Sequence, residues 1–113
     1  MQAALEKAAS ISSEHYQDAR GAMDAAGPWF DELFNDYDAI LTPSALGEAP
    51  RIADGTGDPI CCVIWTLAGL PCISLPLLEG SAGLPMGIQL VGRHNEDDRL
   101  FRTARWLLQN LSG

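Results

Sequence analysis

One lysine, two histidines and three cysteines in 113 residues leave this chain with few of the groups from which active centres are built. Neither His15 nor His94 has a second His or Cys at metal-ligand spacing, which argues against a zinc site. No glycine-rich loop opens a helix with the lysine of a phosphate cradle. No Gly-x-Ser-x-Gly elbow presents a serine nucleophile. Basic residues are scarce, 7 against 15 acidic ones, and a net charge of −8 repels nucleic acid phosphates and anionic lipid headgroups. Nucleic acid and membranes are therefore not expected as partners. No apolar run approaches the roughly 20 residues that a bilayer crossing needs. The first residues, MQAALEKAASISSEH, lack the basic start and unbroken apolar stretch of a secretion signal, so a cytoplasmic location is expected.

The cysteines form no framework. Cys61 and Cys62 are adjacent and cannot bridge each other within normal disulfide geometry. Cys62 and Cys72 lie in apolar stretches, which raise a thiol's pKa, and a cysteine nucleophile would need a neighbouring base. All three are expected to be small buried hydrophobes. The Ser12-Ser13 pair has no glycines around it to form an oxyanion hole, and capping a helix is its expected work.

What the chain does contain is globular: 47% hydrophobic and 19% charged residues, in one domain's worth of length. Ile11 and Tyr16 flank Ser12 as a hydrophobic staple flanks an N-cap. Tyr16, Ala19, Ala22, Met23 and Ala26 then recur at helical spacing. Gly27-Pro28 punctuates that run, and Pro28 suits the first turn of a new helix carrying Trp29, Phe30, Leu33, Phe34 and Tyr37. Residues 38–43 read as a buried strand ended by Pro43, and residues 44–59 as a loop. Asp58-Pro59 reads as an N-cap and first helical position. The helix it opens, 60–67, is apolar on all sides, which predicts burial. Gly69 and Pro71 stop it. Strands follow at 72–76 and 86–92, joined by a turn-rich loop, and Gly87 inside the second suggests a bulge or a close backbone approach. The last helix, capped by Asn95 or Asp97, carries a wide stripe of Leu100, Phe101, Ala104, Leu107, Leu108 and Leu111. The expected fold is α/β, a small mixed sheet of about three strands with helices. It forms one segment over 1–113, helical to 36 and built of sheet and helices from 37. The apolar faces on so many short elements suggest surfaces meant for something outside the chain.

Three ordered motifs carry a resemblance. They are Tyr37-Asp38-Ala39-Ile40-Leu41-Thr42-Pro43-Ser44, then Trp65-Thr66-Leu67-Ala68-Gly69-Leu70-Pro71-Cys72-Ile73-Ser74-Leu75-Pro76, then Gly83-Leu84-Pro85-Met86-Gly87-Ile88-Gln89-Leu90-Val91-Gly92-Arg93. In this order and spacing they resemble the C-terminal part of the amidase signature family, over nearly the whole chain from about Ile11. Thr66 stands where the family often has Asn, and Ser44 where it often has Thr.

The resemblance implies hydrolysis or transfer of amide bonds by a Ser–cis-Ser–Lys triad in a Gly- and Ser-rich signature that lies upstream of these motifs. Lys7 precedes every matched motif, so no catalytic residue carries over, and no metal or cofactor is implied. In the family the helix before Gly-Leu-Pro runs beside the acyl pocket, which makes Asp58, Cys62, Trp65 and Thr66 candidates for pocket wall. Implied partners are the missing N-terminal amidase region or a second copy, with a small-molecule amide substrate only in the full-length enzyme. A binding or scaffold module that keeps the fold without the chemistry is the alternative.

Overall fold

The computed structural model describes residues 2–111. Helices α1 (Gln2–Ala9) and α2 (Ser13–Leu33) come first. Strand β1 (Ile40–Pro43), helix α3 (Ile60–Ala68), strands β2 (Cys72–Glu79) and β3 (Pro85–Val91), and helix α4 (Asp97–Leu111) follow.

Ser12 caps α2 as its sequence position predicts, its hydroxyl accepting the His15 N–H at 3.1 Å. The expected break at Gly27-Pro28 does not occur, and α2 runs through it for 21 residues. Pro28 removes one backbone hydrogen bond, but Gly27 has no Cβ to clash with the proline ring, which lowers the penalty of an interior proline. The cap of α4 falls on Glu96, between the two expected candidates: the Leu100 N–H bonds to Glu96 O at 3.1 Å, while Asn95 takes a left-handed turn at φ 57°.

The sheet has the order β1-β3-β2, with both pairings antiparallel. In β2, Leu75 pairs with Ile88 and Leu78 with Met86, so one extra residue is accommodated near Pro76. A proline without an N–H suits such a bulge. Strand alternation gives the sheet two faces. On one, Val91 meets Phe30 and Phe34 from α2 and Ala68 and Leu70 from the end of α3. On the other, Leu75 and Leu90 meet Leu100 and Ala104 of α4. Arg99 ties these parts together, bonding Asp38 at 3.0 Å and Glu96 at 3.1 Å, and these carboxylates hold its guanidinium still more firmly charged.

The outer surfaces do not close. The α4 stripe is covered only along Leu100, Ala104 and, in part, Leu107, while Phe101 and Leu111 are exposed. Helix α3 is not enveloped as its all-apolar sequence predicts: Ile60, Val63, Ile64 and Leu67 are 40–58% exposed. Only the side of α3 facing the sheet and α2 is packed. The shape shows the same thing. The radius of gyration is 17.0 Å, against about 13 Å for a self-contained domain of this length. The extents of 53 × 42 × 17 Å are those of a slab.

Candidate functional site

The first turn of α3 is held from both sides. Pro59 occupies the cap position expected of Asp58, and Asp58, one residue earlier, still accepts the Ile60 N–H on Oδ1 at 2.9 Å. Gln89, buried in β3, donates from Nε2 to Cys61 O at 2.7 Å, to Thr42 Oγ1 at 3.0 Å and to Pro43 O at 3.2 Å. One carboxamide thus fastens the helix to the end of β1. The far end of α3 closes with Gly69 left-handed at φ 69°, its N–H on Thr66 O and the Leu70 N–H on Trp65 O. These are the two bonds of a Schellman cap.

Between these ends, Asp58, Cys62 and Thr66 follow at four-residue intervals and line one exposed side. Trp65 turns inward. It is half-buried, edge-on to Phe30 with ring centroids 5.7 Å apart, and its Nε1 is buried without a partner among the described residues. Beside this line runs a polar row on the same sheet face. Ser44 and Ser74 share a hydrogen bond of 2.7 Å above Gly87, where any Cβ would run into both hydroxyls. The Cys62 thiol donates to Ser44 O at 3.6 Å. The structure therefore joins Cys62 to Ser44, and through it to Ser74, beside Thr42 and Gln89, leaves Asp58 and Thr66 one turn to either side of Cys62 on the same helix face, and turns Trp65 inward to Phe30.

Sequence reasoning does not single out this polar row. Its only signal is the single polar residue interrupting each apolar strand, which gains meaning once the strand register aligns Thr42, Gln89 and Ser74.

The cysteines depart from expectation, since Cys62 and Cys72 are exposed and Cys61 half-buried. They sit on apolar stretches whose outer faces carry no cover among the described residues. Cys72 is open on one flank, but its thiol turns to Leu70 O at 3.6 Å and is partly desolvated. That desolvation first, and neighbouring Cys62 second, push the thiol above its usual range. Since the thiolate is the reactive form, Cys72 is expected to alkylate more slowly at neutral pH than an unstructured cysteine peptide. The gap should narrow as the pH rises past the usual thiol range, and mass-resolved labelling with iodoacetamide checks this.

Among the described residues no group of three His, Cys, Asp or Glu side chains is gathered as for a metal ion, and no helix is long and apolar enough to cross a membrane. His94 packs its ring against Gly27 and Gly69, with Nδ1 3.6 Å from Asp31.

A capped apolar helix thus lies on an antiparallel sheet beside Gly-Leu-Pro with an exposed polar line, and among the described residues no nucleophile–base pair is assembled. The chain belongs to the amidase family, whose model matches residues 1–101. It is similar to the A subunit of a glutamyl-tRNA(Gln) amidotransferase from Brevibacillus brevis, 39% identical over 66% of this chain and 17% of that protein. The corresponding protein of Anaeromyxobacter sp. (strain K) is 41% identical over 73% of this chain and 18% of its own length. The crystal structure of the Thermotoga maritima counterpart superposes with a TM-score of 0.70 at 30% identity, covering 90% of this chain and 24% of that one. The chain thus spans less than a quarter of the length of these relatives.

Proposed function

We propose that this chain is the C-terminal part of a cytoplasmic amidase signature hydrolase that cleaves the amide C–N bond of a small molecule without a cofactor. The nucleophile, its base and the oxyanion donors come from chain outside these 113 residues. The observation that carries this reading is surface. The chain exposes 8415 Å², against about 6,000 Å² for a self-contained protein of its mass. The excess of roughly 2,400 Å² is what one side of a large permanent interface presents. It is apolar where it matters, along α3 and along a groove of 490 Å³ between α2 and α3 lined by Met23, Ala26, Phe30, Ile64 and Leu67.

In this reading Asp58, Cys62 and Thr66 form the polar line of the substrate-pocket wall, and Trp65 braces it from the core. The wall orients the substrate, while bond making and breaking happen across from it. Light scattering tests the assembly. Alone, the chain is expected to associate as its concentration rises, because apolar patches of several hundred Å² seldom stay wet. With the catalytic region of an amidase-family relative it should instead form a defined one-to-one complex. A monodisperse monomer at every concentration, indifferent to that region, would count against the proposal.

A further inference from the structure

We propose that Glu48 is the positioning residue of the loop joining β1 to α3, and through that loop fixes the rim of the pocket wall. The functional part of this inference rests on the amidase reading above; the anchoring itself does not.

Both ends of the loop, 44–59, lie on the wall. Ser44 extends the β1 ladder, its N–H on Gly87 O at 2.9 Å, and its carbonyl takes the Cys62 thiol. Asp58 holds the Ile60 N–H at the start of α3. Between them Glu48 reaches across to the tip of the β2–β3 hairpin, where Oε1 accepts the Ala82 N–H at 2.8 Å and the Leu84 N–H at 3.1 Å. The tip is shaped to receive it. The Gly80 N–H bonds Leu84 O, Gly83 turns left-handed at φ 78°, and a Cβ on Gly80 would collide with the Glu48 side chain. A carboxylate filling converging backbone N–H groups makes charge-assisted bonds, stronger than neutral ones.

Residues 49–57, by contrast, are all exposed, and among the described residues their hydrogen bonds stay within the loop. A short 3-10 turn, Ile52–Asp54, holds its crest, and Ile52 is 100% exposed. Glu48 and Asp58 are thus the two roots of an exposed arch, and loss of the first frees the chain from Ser44, at the end of β1, to Asp58 beside α3.

Trypsin reads this directly, because Arg51 is the one Lys or Arg between Arg20 and Arg93 and sits inside the arch. In Glu48→Ala, cleavage after Arg51 under native conditions is expected to rise about tenfold over wild type while cleavage after Arg93 and Arg102 stays unchanged. The Ala82 and Leu84 amides should lose hydrogen-exchange protection in the same sample. Glu48→Gln keeps the Oε1 acceptor and should retain most of the protection. Gly80→Ala displaces the carboxylate and should reproduce Glu48→Ala. Cleavage after Arg51 that is unaltered in Glu48→Ala, or that rises only in step with every other site, overturns the proposal. None of these readouts involves turnover or assembly, so their failure is distinguishable from failure of the amidase reading.

Discussion

Phe34→Ala is expected to remove more than about 10 °C from the melting temperature of this chain or to abolish a cooperative transition altogether. Phe34 ends α2 with its ring 0% exposed, against Phe30, Leu70 and Val91. It joins the helical layer to the sheet. Truncating a buried Phe costs about 3–5 kcal/mol, through lost burial and the cavity left behind. The total stability of a small domain is about 5–15 kcal/mol, and a slab with this much open surface belongs at the low end of that range. A loss of about 1 kcal/mol shifts the midpoint of a domain near this size by about 4–8 °C. Phe101→Ala is the control: the same chemical change on a side chain 64% exposed should stay within about 0.5 kcal/mol of wild type. Circular dichroism melts at one fixed protein concentration separate the two, since association would otherwise add to apparent stability. A shift for Phe34→Ala no larger than that of Phe101→Ala would mean the core is not where Phe34 lies.

The parts of this fold that are legible in the sequence are those decided by local chemistry. Ser12, Asp58 and the Gly69–Pro71 stop act within one turn of themselves; Ser12 and the stop perform the roles their positions predict, while Asp58 holds the Ile60 N–H from one residue before the cap, which is Pro59. Gly87 is readable as a close approach because a strand tolerates an interior glycine only for a reason. What it approaches, Ser44 and Ser74, is not readable, since these residues lie 43 and 13 positions away and meet only through strand pairing. The break expected at Pro28 shows the converse. There the packing of Phe30 and Phe34 overrides a local signal, because it rewards continuing the helix. Helix α3 and the cysteines share another cause. Apolar sequence predicts burial, whereas Ile64, Leu67 and Cys62 carry no covering layer among the described residues. In the candidate site, the four-residue spacing of Asp58, Cys62 and Thr66 is visible in the sequence itself. The inward turn of Trp65 depends on Phe30 beside it.

If the proposed reading holds, the chain alone is expected to turn over no amide or ester above background. Several of the groups that could attack are already engaged. Ser12 caps α2, Ser44 and Ser74 bond each other, and Cys62 donates to a carbonyl. Among the described residues neither imidazole hydrogen-bonds any of them; His94 is packed between Gly27 and Gly69 beside Asp31. Losing the nucleophile or its base costs about 10⁶ in turnover, and losing one oxyanion donor roughly a further 10² to 10³. Losses of that size exceed the whole acceleration of an enzyme near the lower end of the usual range, about 10⁶. The decisive measurement is fluorophosphonate labelling with parallel turnover of a chromogenic amide and ester panel, made on the chain alone and on the chain joined to an amidase catalytic region. Neither label nor turnover should appear with the chain alone, and the joined protein should show turnover with all of the label upstream of these 113 residues. Stoichiometric label on this chain, or turnover by it that vanishes on substituting Ser44, Ser74 or Cys62, would contradict the proposal that the chemistry lies outside these 113 residues.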